Sequence, residues 1–264
     1  MDLWQIIVLA AVQGVTEFLP ISSDGHLVVV APLLYGSSTP PPGIAAMTIV
    51  LHMGTLLSIL VFYWRRALRL LGEDRRVLGL IVVGTIPAVL VGVPIKFFFE
   101  PMLESVWLAG LMLPVTGLAL LWLKRFPADG KDYREMSIGD AWWIGMFQAA
   151  AILPGISRSG TTISTGVTRG LSRSSAATFS FLMAIPAIAG AGVLEILKQM
   201  LKPSGPPLPL AHALIGGGVA FVVGLVALWW LNLWLQRGRL HWFAWYCMAL
   251  GACVLAWQTY ATLS

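Results

Sequence analysis

Six apolar runs, each long enough to cross a membrane, constrain the fold of this chain more than any other feature. A helix needs about 20 apolar residues to cross a hydrocarbon core of about 30 Å. Runs of this length occupy residues 44–64, 77–99, 105–123, 176–198, 209–235 and 240–262. Only 11% of the residues are charged, whereas about a quarter are charged in soluble domains. Because the runs are continuous rather than alternating, the sequence predicts an all-α polytopic membrane protein with six transmembrane helices.

Two further apolar segments are broken by proline and polar residues. One run ends at Pro20 and the other at Pro154, and each is followed by an apolar run too short to cross a membrane. Each segment therefore predicts a helix, a tight polar loop and a short helix that returns to the same side. Such re-entrant hairpins, here at about 3–35 and 141–170, are tolerated only where protein or water lines them.

The order of hairpin, three spans, hairpin and three spans predicts an internal repeat. The segment Gln13–His26 (QGVTEFLPISSDGH) aligns with Gln148–Thr161 (QAAAILPGISRSGT), and both place Pro, Ser and Gly after an apolar stretch. Because three is odd, the second half enters the membrane in the opposite orientation. We therefore expect one membrane domain, 1–264, with inverted-repeat halves at about 1–127 and 139–264, whose broken elements meet near the midplane.

Basic residues are distributed unevenly between the loops on the two sides of the predicted membrane. One side holds three, Lys96, Lys198 and Lys202, and Arg158 lies in a hairpin. The positive-inside rule makes the richer side cytoplasmic and directs both termini outward. The net charge of +5 gives no reason to expect nucleic acid as a partner, because most basic residues lie in these loops. The richer side holds Arg65, Arg66, Arg69, Arg75, Arg76, Lys124, Arg125, Lys131, Arg134, Arg169, Arg173, Arg237 and Arg239.

The first hairpin carries a carboxylate, hydroxyls and an imidazole at membrane depth. Ionisable residues there are costly and usually functional. Gln13 and Glu17 are four residues apart and therefore share one helix face. Pro20 predicts the end of that helix, and His26 is expected to begin the returning one. The predicted catalytic residues are Glu17, Ser23 and His26, and the predicted substrate-binding residues are Gln13, Ser22 and Gly25.

The second loop, Pro154-Gly-Ile-Ser-Arg-Ser-Gly-Thr-Thr, has the composition of an oxyanion cradle. Glycines expose backbone N–H groups, and hydroxyls at a helix N-terminus favour an anion. Arg158 adds a planar, permanently charged fork that suits phosphate oxygens, and we predict it to be catalytic. The predicted substrate-binding residues of this loop are Ser157, Ser159, Gly160, Thr161 and Thr162.

Several residues of the first hairpin also have a structural interpretation. Glu17 can be a paired carboxylate that holds Arg158. Ser22 or Ser23 can cap the returning helix. His26 can bond a hairpin carbonyl. For Asp24 we favour a cap or a solvated charge.

At these motifs the chain resembles the undecaprenyl-diphosphate phosphatase family of the bacitracin-resistance type. That family has a Glu/Gln-x-x-x-Glu motif before a Ser-Ser-Thr-Gly-His loop, and a Pro-Gly-x-Ser-Arg-Ser-Gly motif. Gln13–Glu17 fits the first motif, residues 22–26 fit the loop except that Asp24 stands where Thr is usual, and Pro154–Gly160 fits the last. The similarity extends along the whole chain.

The resemblance implies hydrolysis of undecaprenyl diphosphate to undecaprenyl phosphate, the lipid carrier of peptidoglycan synthesis, and hence bacitracin resistance. It also implies a bacterial inner-membrane protein with its active site on the outer side and a divalent cation, Mg²⁺ or Ca²⁺, as cofactor. Glu17 is the first candidate ligand for that cation, and Asp24 is the second. A flippase or transporter of the lipid phosphate or another anion is the alternative, because inverted repeats with broken helices are typical of transporters.

Two points stay open at this stage. Ser23 is a candidate nucleophile with His26 or Glu17 as base, but either base can instead activate water while Ser23 binds phosphate. Gly216-Gly-Gly with Gly224 predicts a close helix contact, either with another span or with a second subunit of a homodimer.

Overall fold

A computed structural model describes residues 1–36, 43–201 and 208–263, so Lys202 of the charge count lies outside the described residues. Within these ranges the chain is helical, apart from loops, two short 3₁₀ turns and one isolated bridge between Lys131 and Leu171. The helices are α1 (Leu3–Thr16), α2 (Ser23–Tyr35), α3 (Ile44–Phe62), α4 (Trp64–Leu70), α5 (Arg75–Phe98), α6 (Glu100–Leu103), α7 (Val106–Trp122), α8 (Ile138–Ala150), α9 (Arg158–Thr168), α10 (Arg173–Leu201), α11 (Leu210–Gln236) and α12 (His241–Leu263).

Five helices are long and apolar enough to cross a membrane, namely α3, α5, α7 with its following turn, α10 and α11. They confirm a multi-pass, all-helical membrane protein. The sixth predicted span coincides with α12, which has 23 residues. This helix has the length but is less apolar, because residues such as Trp245, Tyr246 and Gln258 dilute its aliphatic side chains. Outward-facing side chains such as Leu90 and Val222 are largely exposed, as expected of a surface that contacts lipid.

The polar loops of the two hairpins lie earlier in the chain than the sequence suggested. The first helix, α1, ends at Thr16 rather than at Pro20, and α2 begins at Ser23, so the expected start at His26 was wrong. In the same way α9 begins at Arg158. The physical reason is N-capping: the preceding serine of each helix accepts a hydrogen bond from an N–H three residues later. The polar loop residues therefore form the first turn of each returning helix.

The hairpins and spans pack across the boundary between the two halves of the chain. The first helix of each hairpin packs on the middle long helix of the other half, α1 on α11 and α8 on α5. The first long helices of the halves, α3 and α10, contact each other, as do the last, α7 and α12. This exchange of partners brings the tips of both hairpins into the middle of the bundle.

The glycine-rich stretch of α11 makes its close contact within the chain. A Cβ added at Gly54 would lie 2.4 Å from the Gly217 carbonyl oxygen, so α3 and α11 approach backbone to backbone. Gly216 and Gly224 face α1 and α3 in the same interface. The glycines are thus explained without a second subunit, and they give no support to a homodimer.

An ionic cluster fixes the ends of the second hairpin, outside the five long apolar helices. The carboxylate of Asp140, in the first turn of α8, accepts hydrogen bonds from Lys131 Nζ (2.8 Å), Arg169 Nε (2.8 Å) and the Ser137 N–H (3.0 Å). Burial opposes ionisation of Asp140, but these donors outweigh it and hold the pKa of the carboxyl well below its usual range. The cluster joins the start of α8 to the end of α9.

Candidate active site

The two hairpin tips touch each other through Ser22. Its hydroxyl oxygen accepts hydrogen bonds from the Gly25 N–H (3.3 Å) and from the Gly155 N–H in the other tip (3.1 Å). A Cβ added at Gly25 would lie 2.9 Å from the Gly155 Cα, so only glycine permits this approach. The structure therefore brings together the two motifs that the sequence predicted to meet.

Ser22 adopts a backbone conformation that L-residues avoid. Its φ of 71° makes it the only non-glycine residue with a positive φ in the described part of the chain. Such a conformation costs on the order of 1–3 kcal/mol and persists only where the surroundings enforce it. Here the side chain caps α2 and also bonds the second tip. Of the two capping candidates, Ser22 is thus the cap, which leaves the Ser23 hydroxyl available.

Glu17 is the hub of the polar cluster between the tips. Its side chain is 4% exposed, and Oε1 pairs with Arg158 Nη2. Oε2 accepts hydrogen bonds from Gln13 Nε2 (3.0 Å) and from Ser23 Oγ (2.7 Å). Both carboxylate oxygens are therefore occupied, and the acid holds the hydroxyl and the guanidinium on either side of it.

One nitrogen of the Arg158 guanidinium makes no hydrogen bond in the described residues. Nη2 binds Glu17, but Nη1 is buried and has no hydrogen-bond partner in the described residues. A buried donor without a partner costs free energy, more so when it is charged. The amide oxygen of Gln13, next to the same carboxylate, is likewise buried and unpaired. An anion at Arg158 would satisfy the free Nη1.

The hydroxyls of the second loop bond within the protein in this structure. Ser159 Oγ donates to the Leu19 carbonyl (3.2 Å) and accepts from Ser157 Oγ (3.2 Å), which itself accepts from the Gly160 N–H (3.1 Å). Thr161 and Thr162 donate to helix carbonyls. These residues hold the cradle in shape, and their contact with substrate stays a prediction.

Thr116 supports the second loop and was missed by the sequence analysis. This fully buried residue of α7 donates to the Gly155 carbonyl (2.8 Å) and accepts from the Ser157 N–H (2.8 Å). A lone threonine in an apolar helix is ordinarily back-bonded to its own helix. Nothing in the sequence therefore distinguished it.

His26 faces away from the carboxylate and the candidate nucleophile. Its Nδ1 lies 2.7 Å from the Ser22 carbonyl oxygen, which can only accept, so Nδ1 is the donor. In the neutral imidazole Nε2 is then the acceptor for the Tyr246 hydroxyl, 2.8 Å away, and the two rings stack. Of the two candidate bases, Glu17 is the one in contact with Ser23. Tyr246, on α12, is a second residue that the sequence gave no reason to select.

His52 and Asp24 complete the polar cluster on its exposed side. His52 Nε2 lies 3.9 Å from Glu17 Oε2 and 3.8 Å from Asp24 Oδ1, so both carboxylates converge on one ring nitrogen. Asp24 is 55% exposed in the first turn of α2. Across the described ranges no three or more His, Cys, Asp or Glu side chains form a metal cluster. Glu17 and Asp24 are thus the carboxylates that could hold a cation here, and further ligands would have to come from elsewhere.

An apolar cavity of about 340 Å³ adjoins the first tip. It lies between the end of α1, its following turn, α11 and α12, and the ring of Tyr246 joins it to His26. Its lining consists of Val15, Leu19, Ile21, Trp230, Trp234, Trp242, Phe243 and Tyr246.

Fold and site together define a class of multi-pass helical membrane proteins that hold a buried carboxylate–arginine pair between two helix–loop–helix tips. The family described as bacitracin resistance protein BacA matches residues 6–253, and the chain belongs to this family. The resemblance inferred from the two motifs is thereby confirmed.

Relatives of similar length share the whole chain. An "Undecaprenyl-diphosphatase" of Rhodopirellula baltica is 48% identical over 256 residues, which cover 96% of this chain and 97% of the relative. A protein of the same name from Desulforudis audaxviator is 39% identical over 263 residues, with 97% of both chains covered. An "Undecaprenyl-diphosphatase 1" of Corynebacterium jeikeium is 34% identical over 265 residues, with 96% and 93% covered.

Proposed function

We propose that this protein hydrolyses undecaprenyl diphosphate to undecaprenyl phosphate and inorganic phosphate. This reaction recycles the lipid carrier of cell-wall synthesis and confers resistance to bacitracin. The observation that carries the proposal is the buried cluster in which Glu17 holds both the Ser23 hydroxyl and Arg158, whose Nη1 has no partner. The names of the relatives support the same activity, and they do not favour the transport alternative.

The cluster suits phosphoryl transfer, which requires mainly positioning and stabilisation of charge. Arg158 would bind the terminal phosphate through its free Nη1. Ser23 Oγ would then form a bond to the terminal phosphorus while the anhydride bond breaks and the lipid monophosphate leaves. Glu17 would accept the serine proton, because it already accepts the Ser23 hydrogen bond at 2.7 Å. Water would finally hydrolyse the phosphoserine and release phosphate.

Direct attack by water on the same phosphate is the alternative route, with Ser23 as a binding residue. His26 is poorly placed to act as the base on either route, because its Nδ1 and Nε2 form hydrogen bonds with the Ser22 carbonyl and the Tyr246 hydroxyl. We propose that His26 instead fixes the first tip against α12. Its contribution to catalysis would then be to position the loop.

A divalent cation, Mg²⁺ or Ca²⁺, is part of the proposal. Mg²⁺ is typically held by one or two carboxylates together with substrate phosphates. Glu17 and Asp24 would supply the carboxylates, and Asp24 is the freer of the two because Glu17 already accepts three side-chain donors. A bound cation would neutralise charge on the diphosphate. The substrate oxygens would complete its ligand shell.

The prenyl tail would lie in the aromatic cavity beside the first tip. The cavity volume of about 340 Å³ lies within the range of ligand pockets, about 300–1,000 Å³. It is too small for a whole C55 chain, so it would hold the isoprene units nearest the diphosphate. The remaining units would extend into lipid. Tyr246 would then contact both the tail and His26.

The proposed topology has six spans, with α12 as the sixth, and two re-entrant hairpins. The reciprocal packing of α1 on α11 and of α8 on α5 supports an inverted repeat with halves at about 1–127 and 139–264. With the basic loops in the cytoplasm, both termini and the site face the outer side of the inner membrane. Undecaprenyl diphosphate released there would reach the site without crossing.

Phosphate release by the purified protein in detergent tests the activity. We expect release from undecaprenyl diphosphate with Mg²⁺ or Ca²⁺, loss with EDTA, and near loss in Glu17→Ala and Arg158→Ala. Arg125→Ala, which changes an exposed arginine over Trp122, is the matched control and should stay active. Absence of release from the native protein with metal present would refute the proposed function.

The two routes are separated by acid quenching with substrate labelled in the terminal phosphate. Label on Ser23 would establish the covalent route. Full activity of Ser23→Ala would exclude it and leave direct attack by water.

A further inference from the structure

A second cavity, of about 230 Å³, lies where α3 meets α4 and α11 passes beside them. None of its residues belongs to the hairpin tips, and none has a role in the proposed phosphatase reaction. The cavity is lined by Phe62, Tyr63, Trp64, Arg65, Arg66 and Asn232.

Its two arginines carry charge that no acid among the described residues neutralises. Neither Arg65 nor Arg66 forms an ion pair in the described residues, although Arg69 on the same short helix lies 3.8 Å from Glu73. Each guanidinium lies over an aromatic ring of the cavity instead, Arg65 at 5.3 Å from the centroid of Trp64 and Arg66 at 5.4 Å from that of Tyr63. Arg66 donates one further hydrogen bond, to Thr178. Both therefore keep donors for an anion.

Polar atoms in the wall of the cavity are also incompletely used. The Tyr63 hydroxyl is buried and faces the Asn232 amide, but it makes no hydrogen bond of good geometry in the described residues. Asn232 Nδ2 is bonded to the Leu228 carbonyl of its own helix (2.8 Å). Two guanidinium groups beside aromatic rings and neutral polar groups favour the binding of a phosphate, because arginine binds phosphate through two parallel hydrogen bonds.

The surroundings indicate where that phosphate comes from. Trp64 and Leu68 are more than half exposed next to the arginines, on a helix that follows directly after a span. Tryptophan beside arginine at the end of a span is typical of the level of lipid headgroups, where anionic lipids attract basic side chains. The volume is below that of drug-sized pockets, about 300–1,000 Å³, and suits a headgroup rather than a whole metabolite.

We propose that this cavity binds the phosphate of an anionic lipid headgroup through Arg65 and Arg66. The site is separate from the hairpin tips, so the protein would have one phosphate site for chemistry and a second that holds a lipid at the opposite, basic end of the bundle. Trp64 would contact the glycerol and acyl region of the bound lipid.

Calorimetric titration of the detergent-purified protein tests the site, with dihexanoyl phosphatidic acid as probe. Dihexanoyl phosphatidylcholine and inorganic phosphate are titrated in parallel. We expect phosphatidic acid to bind and Arg65→Gln/Arg66→Gln to weaken it by at least about tenfold, because one charge-assisted hydrogen bond contributes at least that factor. Arg69→Gln, which changes the paired arginine outside the cavity, is the control and should bind as the native protein does.

The source of the phosphate follows from the parallel titrations. If phosphatidic acid binds and inorganic phosphate does not, the ligand is a lipid headgroup. If inorganic phosphate also binds, and the double variant weakens its binding as much as that of phosphatidic acid, free phosphate is a ligand of the same site. Arg65→Gln alone, at an exposed position, should weaken binding without loss of folding, as checked by thermal unfolding. Unchanged binding in the double variant, or an equal loss in Arg69→Gln, would overturn the proposal.

Discussion

The contacts of the Glu17–Arg158 pair predict that its two single variants differ in unfolding free energy. Glu17→Gln keeps one acceptor oxygen but removes the negative charge that pairs with Arg158, whose Nη1 has no partner in the described residues. The buried guanidinium would therefore lose its counter-charge. Removing one partner of a buried pair costs about 3–5 kcal/mol when the other charge remains uncompensated. We therefore expect Glu17→Gln to lower the free energy of unfolding by about that amount.

Arg158→Gln should cost less, because the carboxylate it leaves behind is still compensated. Glu17 Oε2 keeps its hydrogen bonds from Gln13 Nε2 at 3.0 Å and Ser23 Oγ at 2.7 Å. Hydrogen bonds to a charged group contribute about 1.5–3 kcal/mol each, so we expect a loss of about 1–3 kcal/mol. In the double variant neither charge is buried, and the total loss should be smaller than the sum by about 0.5–3 kcal/mol.

Unfolding in mixed micelles with increasing SDS measures these free energies for all four proteins. Phosphate release is followed in the same preparations, and loss of the proposed general base should reduce kcat by about 10²–10⁴-fold in Glu17→Gln. Equal costs for the two single variants, or a double variant whose cost is their sum, would refute the assignment of Glu17 as the hub of the cluster.

Three further predictions concern residues around the cluster. Tyr246→Phe should lower the unfolding free energy by about 1–3 kcal/mol, because His26 Nε2 would be buried without a partner; a wild-type unfolding midpoint would contradict this. Gly25→Ala should separate the tips, since its Cβ would meet the Gly155 backbone at 2.9 Å, and phosphate release should fall at least about tenfold while overpacking costs about 1–3 kcal/mol. Folding lowers the pKa of Asp140. The ionised carboxylate should therefore stabilise the folded protein fully above the ordinary Asp pKa of about 3.9, and this stabilisation should fade as the pH falls further. The unfolding midpoint of Asp140→Asn, measured from pH 7 to pH 3, should approach that of the native protein only at the acidic end.

The sequence was sufficient for the helical class and for the position of the long helices. Hydropathy fixes these because each lipid-facing helix must satisfy its own backbone and present apolar side chains. The least apolar of the predicted spans was α12, where the exposed Trp245 and Tyr246 lower the mean hydropathy. Capping decides helix starts within a turn, and the start of α2 at Ser23 rather than at His26 could be recognised only from the hydrogen bonds of the Ser22 cap.

The sequence predicted the site residues that are rare in a membrane, but not those that are common in apolar helices. Glu17 and Arg158 stood out because charge is rare at that depth, and the structure places them in contact. Thr116 and Tyr246 are common residues of apolar helices, and only their three-dimensional neighbours distinguish them. The distance of His52 to two carboxylates could not be read from the order of residues.

The strained loop at Ser22 explains why the two tips depend on each other. A φ of 71° would relax if the hydroxyl were free to leave the Gly25 and Gly155 N–H groups. The same conformation places Ser23 at the first helical position, where its hydroxyl reaches Glu17, and Glu17 in turn pairs with Arg158 of the second tip. Contacts from the second tip therefore keep the candidate nucleophile of the first beside its base. Separation of the tips should disorganise the carboxylate, the hydroxyl and the guanidinium together, even where all three residues are intact.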